Sequence, residues 1–381
     1  MQYQYSEEQT LLKGSLRKFV HDNYSYEARC RLVATQKGFS DEHWQQLAEL
    51  GVLGLPFAEE FGGYEGDLAF LAAVAQECGR GLVAEPFFST VVLAGQLLAA
   101  SDAREVKAEL LPKVARGELK LALAWEERGS RGDPTRIETG VSIEGDKGLL
   151  SGEKRVVLGA QSADYLLVTA LAPSDKLVLL LVDAKADGLH MRGYTTVDGG
   201  RAANVNFSKV AATVLSVDAK SSIQRALDRA LIVLCAQALG AMDALMEATL
   251  EHCKTRKQFG MPIASFQVLQ HRMADMHIAS EKTRSLLWAA IQADERGDCH
   301  HAASVLKAQV GEGGRYVGQQ AVQLHGGIGM TDELSVGAYF KLLTQIDVLF
   351  GNRDFHLALL AKLARVPGKV AATQVQGLRR A

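Results

Sequence analysis

The sequence predicts an α+β protein of three regions: an all-α N-terminal domain (residues 1–118), a middle antiparallel β domain (119–218) and a C-terminal bundle of helices (219–381). Three observations predict it. Apolar residues recur at helical spacing in the first third, the pattern shortens in the middle to runs rich in Val, Leu and Thr, and long Ala- and Leu-rich segments follow. A chain of 381 residues also exceeds what one hydrophobic core organises, which suits several packed regions.

In the first region Leu11, Leu12, Leu16, Phe19 and Val20 recur at spacings of three and four, and the breaks fall at glycine and proline clusters. One break, LPFAEEFGGYEGD, combines Pro56 with Gly62, Gly63 and Gly66 and is expected to be an exposed loop between helices. In the middle region LKLALAW, IETGVSIEG, GLLSGEKRVV, DYLLVTALA, KLVLLLVDA and ANVNFSKV read as strands. The turns between them are too short for helical crossovers, so an antiparallel sheet is expected. From about Ser221 the helical signal returns, broken by proline only at Pro262 and Pro367, and predicts long antiparallel helices. The tail GLRR, ending at Ala381, reads as a solvated basic end.

Composition excludes several function classes. With 42 basic and 44 acidic side chains the chain lacks the charge footprint of sequence-independent nucleic-acid binding. The N-terminal MQYQYSEEQT is polar, and no uninterrupted apolar run reaches the roughly 20 residues that span a bilayer, so no membrane partner is expected. Cys30, Cys78, Cys235, Cys253 and Cys299 form no CxxC pair or cluster with histidines, so free thiols, no metal site and a cytoplasmic location are expected.

Two segments carry the functional signal. TRKQFGMPIASFQVLQHRMADM, from Thr255 to Met276, taken alone fits an ordinary helix end, with basic residues complementing the dipole and Gly260 as the stop. QLHGGIGMTDE, from Gln323 to Glu333, taken alone fits a turn with a solvated His325. Together, in this order, they resemble the two signatures of the acyl-CoA dehydrogenase superfamily. WQQLAELGVLGLPFAEEFGG, from Trp44 to Gly63, resembles the family's N-terminal region, so the resemblance covers essentially the whole chain. It implies a C-terminal four-helix bundle and FAD as cofactor.

Binding the FAD diphosphate without a Rossmann-type loop needs a cation and main-chain donors that approach closely. Arg256 supplies the charge, and Gly326 and Gly327 permit the approach. The resemblance implies that Arg256, Gln258, Phe259, Gln323, Gly326 and Gly327 reach the FAD of a neighbouring subunit, hence a homo- or hetero-oligomer, dimer or tetramer, with FAD at the interface. Gln267 and Gln270 resemble polar positions near the adenine. WEERGSRGDP (Trp125–Pro134) and GEKRVVLG (Gly152–Gly159) correspond to segments facing the flavin ring, which implies contacts from Trp125, Ser130 and Val156, joined by Gly351. The family's Trp-x-Thr positions here hold Val156 and Leu158.

The family reaction is the α,β-desaturation of an acyl-CoA thioester, with electrons passed to an electron-transfer flavoprotein. It needs a carboxylate base in a dry pocket, opposite hydrogen bonds that polarise the thioester carbonyl. The family's two glutamate positions fall on Phe350 and Ala230. Asp347, three residues before Phe350 and on its face if the segment is helical, is the candidate catalytic base. Asp228 and Glu247 are weaker candidates, and Glu126 and Glu127 beside the flavin loop are expected to be solvated. These departures resemble the smaller-subunit type of heteromeric acyl-CoA dehydrogenases. Two alternatives stay open: an oxygen-using acyl-CoA oxidase or flavin monooxygenase of the same fold, and a non-catalytic FAD-binding or structural subunit.

Overall fold

A computed structural model describes residues 4–365. Pro367 and the tail ending at Ala381 lie outside the described residues. The first region folds as α1 (Glu7–Asn23), α2 (Tyr26–Ala34), α3 (Asp41–Glu49), α4 (Leu68–Gly81), α5 (Gln96–Ala99) and α6 (Arg104–Ala115). Local chemistry sets the starts: the side chains of Ser6, Ser25, Ser40 and Asp67 accept the backbone N–H groups of Gln9, Ala28, His43 and Phe70. A wide π-type segment, Phe88–Gly95, runs directly into α5. The glycine-rich break is less exposed than its composition predicts, because Phe57 and Phe61 anchor it in the core.

The middle region is a seven-stranded sheet of β1 (Leu121–Ala124), β2 (Gly140–Glu144), β3 (Lys147–Leu158), β4 (Tyr165–Leu171), β5 (Leu177–Asp183), β6 (Leu189–Thr195) and β7 (Arg201–Ser216). Most pairings are antiparallel, as expected. β1 pairs parallel to β4, however, and β2 meets β4 in parallel at Gly140 and Leu171. The physical reason is the long excursion between β1 and β4, which holds the β2–β3 hairpin and leaves ample chain for a parallel return. β4 and β5 are buried on both faces: Leu167, Leu179 and Leu181 join the core shared with the helices, while Val168, Val178 and Leu180 join a second core inside the sheet.

The third region contains α7 (Lys220–Thr255), a hairpin of β8 (Lys257–Gln258) and β9 (Met261–Pro262), α8 (Gln267–Glu295), α9 (His300–His325), α10 (Val336–Val348) and α11 (Arg353–Ala364). Helices α7 to α10 pack as a bundle, with α11 against α9. By composition α7 is long and apolar enough to cross a bilayer, contrary to the reading of the bare sequence, but 72% of its apolar window is buried inside the protein, so it is a core helix. Two glycines bring α7 onto α4. A Cβ added at Gly79 would stand 1.9 Å from the Gln237 carbonyl oxygen, and one at Gly240 would stand 1.9 Å from that of Gln76.

Candidate functional site

The two signature segments converge at one end of the bundle. The rings of His252, near the end of α7, and His325, at the end of α9, stack with centroids 4.3 Å apart. Burial pushes both imidazoles down, the neighbouring His325 and Arg256 charges adding to the effect at His252, so neutral rings stack near neutral pH. His325 is therefore buried rather than solvated, and its Nδ1 lies 2.8 Å from the Ala321 carbonyl oxygen. Arg256 ends α7, with its N–H donating to the His252 carbonyl at 2.9 Å. Its exposed side chain forms no ion pair among the described residues. Gln258, Gln267 and Gln323 are exposed, and Phe259 is 89% exposed with φ of 52°. Gln270 donates to the Ala264 carbonyl at 2.8 Å, so its amide serves the local turn. Gly326 has φ of 66°, and a Cβ added at Gly326 or Gly327 would meet nothing within 4 Å. An unpaired guanidinium and an open glycine surface at the same end of the bundle are groups that suit a phosphate-bearing ligand.

The residues expected to face the flavin ring gather elsewhere, where the sheet meets the bundle. Trp125 and Phe350 pack with ring centroids 5.5 Å apart at 31°, and Phe350 meets Phe88 edge-on at 5.9 Å. A Cβ added at Gly132 would lie 2.9 Å from the Gly351 backbone nitrogen, so the glycine loop closes directly on the chain after α10. Buried Lys307 donates to the carbonyls of Asp347 (2.8 Å) and Gly351 (2.6 Å). Nε2 of His356 lies 3.0 Å from the Phe350 carbonyl oxygen, and that acceptor requires the Nε2–H tautomer. Burial lowers the Lys307 ammonium and takes His356 down to about 4, so this imidazole is neutral.

The Trp125–Pro134 stretch is fixed by a buried ion pair. Lys154 Nζ lies 2.7 Å from Glu127 Oε1 and donates to Thr169 Oγ1 at 3.1 Å. Glu127 also accepts the N–H groups of Glu138 (2.7 Å) and Thr139 (3.1 Å). Burial pulls Lys154 down to about 8, opposed by the charge of Glu127. Burial also pushes the Glu127 carboxyl up, but Lys154 and the hydrogen bonds outweigh it and hold the group below its usual range. Glu127 is thus a buried structural anchor and not the solvated acid expected of a loop. Ser130 is committed to the same loop, its hydroxyl accepting from Glu127 N–H and donating to Glu127 O, both at 2.9 Å. Val156 sits at a β-bulge with φ of 51°, its N–H donating to Asn204 Oδ1 at 3.4 Å.

Two cavities flank the Phe350 loop. The first, about 140 Å³, is walled by Glu85, Phe88, Leu158, Gln237, Ile346 and Leu349 among others. The second, about 190 Å³, is walled by Trp125, Gln224, His300, Phe350, His356 and Lys362 among others. Because Phe88 lines the first and Phe350 the second, their touching rings form a partition between them.

Asp347 lines neither cavity. α10 ends at Val348 and the chain turns through Phe350 with φ of 60°, so Asp347 and Phe350 do not share a helical face as expected. Its Oδ1 accepts the Arg353 N–H at 3.4 Å and faces Gly311, where an added Cβ would be 2.3 Å away. Ala230 is buried. Asp228 is engaged by Gln224 Nε2 at 3.0 Å and by His300 Nδ1 at 2.9 and 3.1 Å. Exposed Glu247 pairs with Arg80 at 2.6 Å. Burial pushes the Glu126 carboxyl up, against a hydrogen bond from Gly132 N–H. Sequence reasoning passed over Glu85, Lys154 and Lys307. For Glu85 the available signal was a lone acid between the apolar runs of GLVAEPFFSTVVLAG.

Comparison with known proteins agrees with this architecture. The family model described as the N-terminal domain of acyl-CoA dehydrogenase matches residues 6–118, and that described as the C-terminal domain matches residues 221–364. The acyl-CoA dehydrogenase FadE28 of Mycobacterium tuberculosis is 30% identical over 331 residues, covering 84% of this chain and 91% of the relative. A solved variant of the Tcur3481-Tcur3483 steroid ACAD is 33% identical with a TM-score of 0.88, covering 94% of this chain and 98% of that one. The ChsE4-ChsE5 complex from Mycobacterium tuberculosis, 24% identical with a TM-score of 0.90 and covering 96% of this chain and 100% of that one, shares the fold. Similarity of this extent, in the same order of domains, makes the chain a member of the acyl-CoA dehydrogenase family of flavoprotein oxidoreductases.

Proposed function

We propose that this chain is one subunit of a heteromeric, FAD-dependent acyl-CoA dehydrogenase, in which a related chain carries the catalytic base. The enzyme desaturates an acyl-CoA thioester between its α and β carbons and passes electrons to an electron-transfer flavoprotein. One observation carries the reading: at the loop position where the family places a glutamate, Phe350 packs its ring on Trp125, and the other family position is the buried Ala230. Asp347 would act as the base only after leaving the Arg353 N–H and Gly311, and its present contacts favour a structural role. The 33%-identical relative, designated by two chains, supports a paired assembly.

In this reading Arg256, Gln258, Phe259, Gln323, Gly326 and Gly327 hold the diphosphate of an FAD shared with the neighbouring subunit, and Gln267 lies toward its adenine. Trp125, Ser130, Val156 and Gly351 line the junction on this chain's own side. FAD, when bound, supplies the acceptor for the β-hydrogen as hydride. The chain itself contributes a cation to the cofactor, walls that exclude water, and an acyl pocket. Five free thiols support a reducing, cytoplasmic setting. A structural subunit that binds little flavin is the second reading, favoured by the direct Trp125–Phe350 packing.

Coexpression with a related acyl-CoA dehydrogenase chain, followed by flavin absorbance and bleaching on adding acyl-CoA, tests the proposal. Flavin and bleaching are expected with the partner and weak alone. Full bleaching by the isolated homomer would overturn the heteromeric reading, and a flavin-free complex would select the structural one.

A further inference from the structure

Glu85 is used by nothing described so far. It lies between α4 and the wide Phe88–Gly95 segment, with its side chain at 0% exposure, on the wall of the first cavity. Its Oε1 accepts the Ser40 N–H at 3.2 Å and stands 3.4 Å from His43 Nδ1. Among the described residues no well-aligned hydrogen bond reaches its Oε2, with the Ala84 and Glu85 N–H groups nearby acting on the carboxyl, and His43 Nδ1 makes none. The nearby cations are committed elsewhere. Arg29 donates to the carbonyls of Leu82 (3.0 Å) and Asp198 (2.7 Å), Lys37 pairs with Asp41, and burial pushes His43 toward the neutral form. Burial correspondingly pushes the Glu85 carboxyl up to about 7.

The rest of the cavity combines apolar walls from Leu158, Leu234 and Ile346 with polar ones from Asp198, Gln237 and Arg201, the Arg201 guanidinium being committed to the backbone carbonyls of Val33 and Gly199. A buried acceptor left open destabilises the free protein, and a site built around one discriminates strongly against ligands that lack the matching donor. The cavity reaches Leu158, at the end of the strand assigned to the flavin, so its occupant would be the acyl group.

We propose that Glu85 is a specificity-determining residue of the acyl pocket, its open Oε2 accepting a hydrogen bond from a hydroxyl carried on the acyl chain of the CoA thioester. The proposal rests on the acyl-CoA dehydrogenase reading above.

Isothermal titration of the purified protein, with any related chain that accompanies it, against decanoyl-CoA and a positional series of hydroxydecanoyl-CoA thioesters provides the test. At pH 8, where the carboxyl is mostly ionised, at least one hydroxy isomer is expected to bind about tenfold or more tighter than decanoyl-CoA, the gain from one hydrogen bond to a charged acceptor. Glu85→Leu collapses that ratio to about one, and the isosteric Glu85→Gln lowers it in part. Equal binding of every thioester to the wild type, or a preference that survives Glu85→Leu, overturns the assignment. Binding of no thioester at all overturns the acyl-CoA reading itself, and the Glu85 assignment with it.

Discussion

Replacing Glu85 by glutamine should stabilise the protein at alkaline pH and leave it nearly unchanged in acid. Burial raises this carboxyl from 4.5 to about 7 in the folded state. Below 4.5 the group is neutral in both states and contributes nothing to the pH dependence. As pH rises the unfolded chain ionises first, and the folded state loses stability progressively until its own carboxyl ionises near 7. At 1.36 kcal/mol per unit, the loss between pH 5 and pH 8 comes to about 2.5 kcal/mol, which is large beside the stability of a typical domain. Glutamine keeps the shape and cannot ionise, so it removes this loss while the titration of every other group cancels in the comparison. Chemical denaturation of both proteins at pH 5 and pH 8 measures the effect as a gap widening in favour of the variant. Parallel profiles at the two pH values would show that the carboxyl is paired or hydrated, and the argument for its open oxygen would fail.

Three further outcomes follow from the packing and the charges. Gly240→Ala places a methyl group against the Gln76 carbonyl, 1.9 Å from the ideal Cβ position, and is expected to cost about 3 kcal/mol or more; a loss below about 1 kcal/mol in urea titration would contradict the close α4–α7 approach. Lys154→Met and Glu127→Gln should each cost about 3–5 kcal/mol by leaving a buried charge or its partners unpaired, and the double variant should cost less than their sum, so strict additivity in the cycle refutes the pairing. Arg256→Ala should lower retained flavin per assembled complex without shifting the melting temperature of the flavin-free protein, since the exposed side chain forms no ion pair among the described residues; unchanged flavin absorbance would remove Arg256 from the diphosphate site.

The order of domains was legible because it rests on local periodicity: helical spacing around Leu16 and Phe19, strand-length runs such as KLVLLLVDA, then the uninterrupted α7. The parallel β1–β4 pairing was not, because strand partners are chosen by long-range closure and no local pattern encodes them. The two signature segments were legible in the sequence, but the His252–His325 stack, where they meet, appears only when α7 and α9 end together. Lys154 in a strand reads as an outward-facing lysine; it is buried because Glu127 supplies a counter-charge from another part of the chain. The expected common face of Asp347 and Phe350 is lost for a backbone reason: a three-residue spacing predicts it only while the helix continues, and α10 stops at Val348.

The loop after α10 shows why the absent glutamate does not leave the site without design. Phe350 holds a left-handed backbone with φ of 60°, and a non-glycine residue in a sparsely populated region costs on the order of 1–3 kcal/mol. Such strain persists only where the surroundings over-determine it. Here Lys307 binds the carbonyls of Asp347 and Gly351, His356 binds that of Phe350, and both groups bear a desolvation cost of their own. A structural turn needing only to end a helix would be satisfied by glycine at this position and by solvent. Two buried nitrogen donors instead fix where the side chain at 350 projects, and that direction leads to Trp125 and Phe88, between the two cavities. An aromatic ring held there separates the cavities but accepts no proton. The loop geometry thus serves a wall, which suits the proposed heteromeric assembly, where the proton acceptor would come from the partner chain.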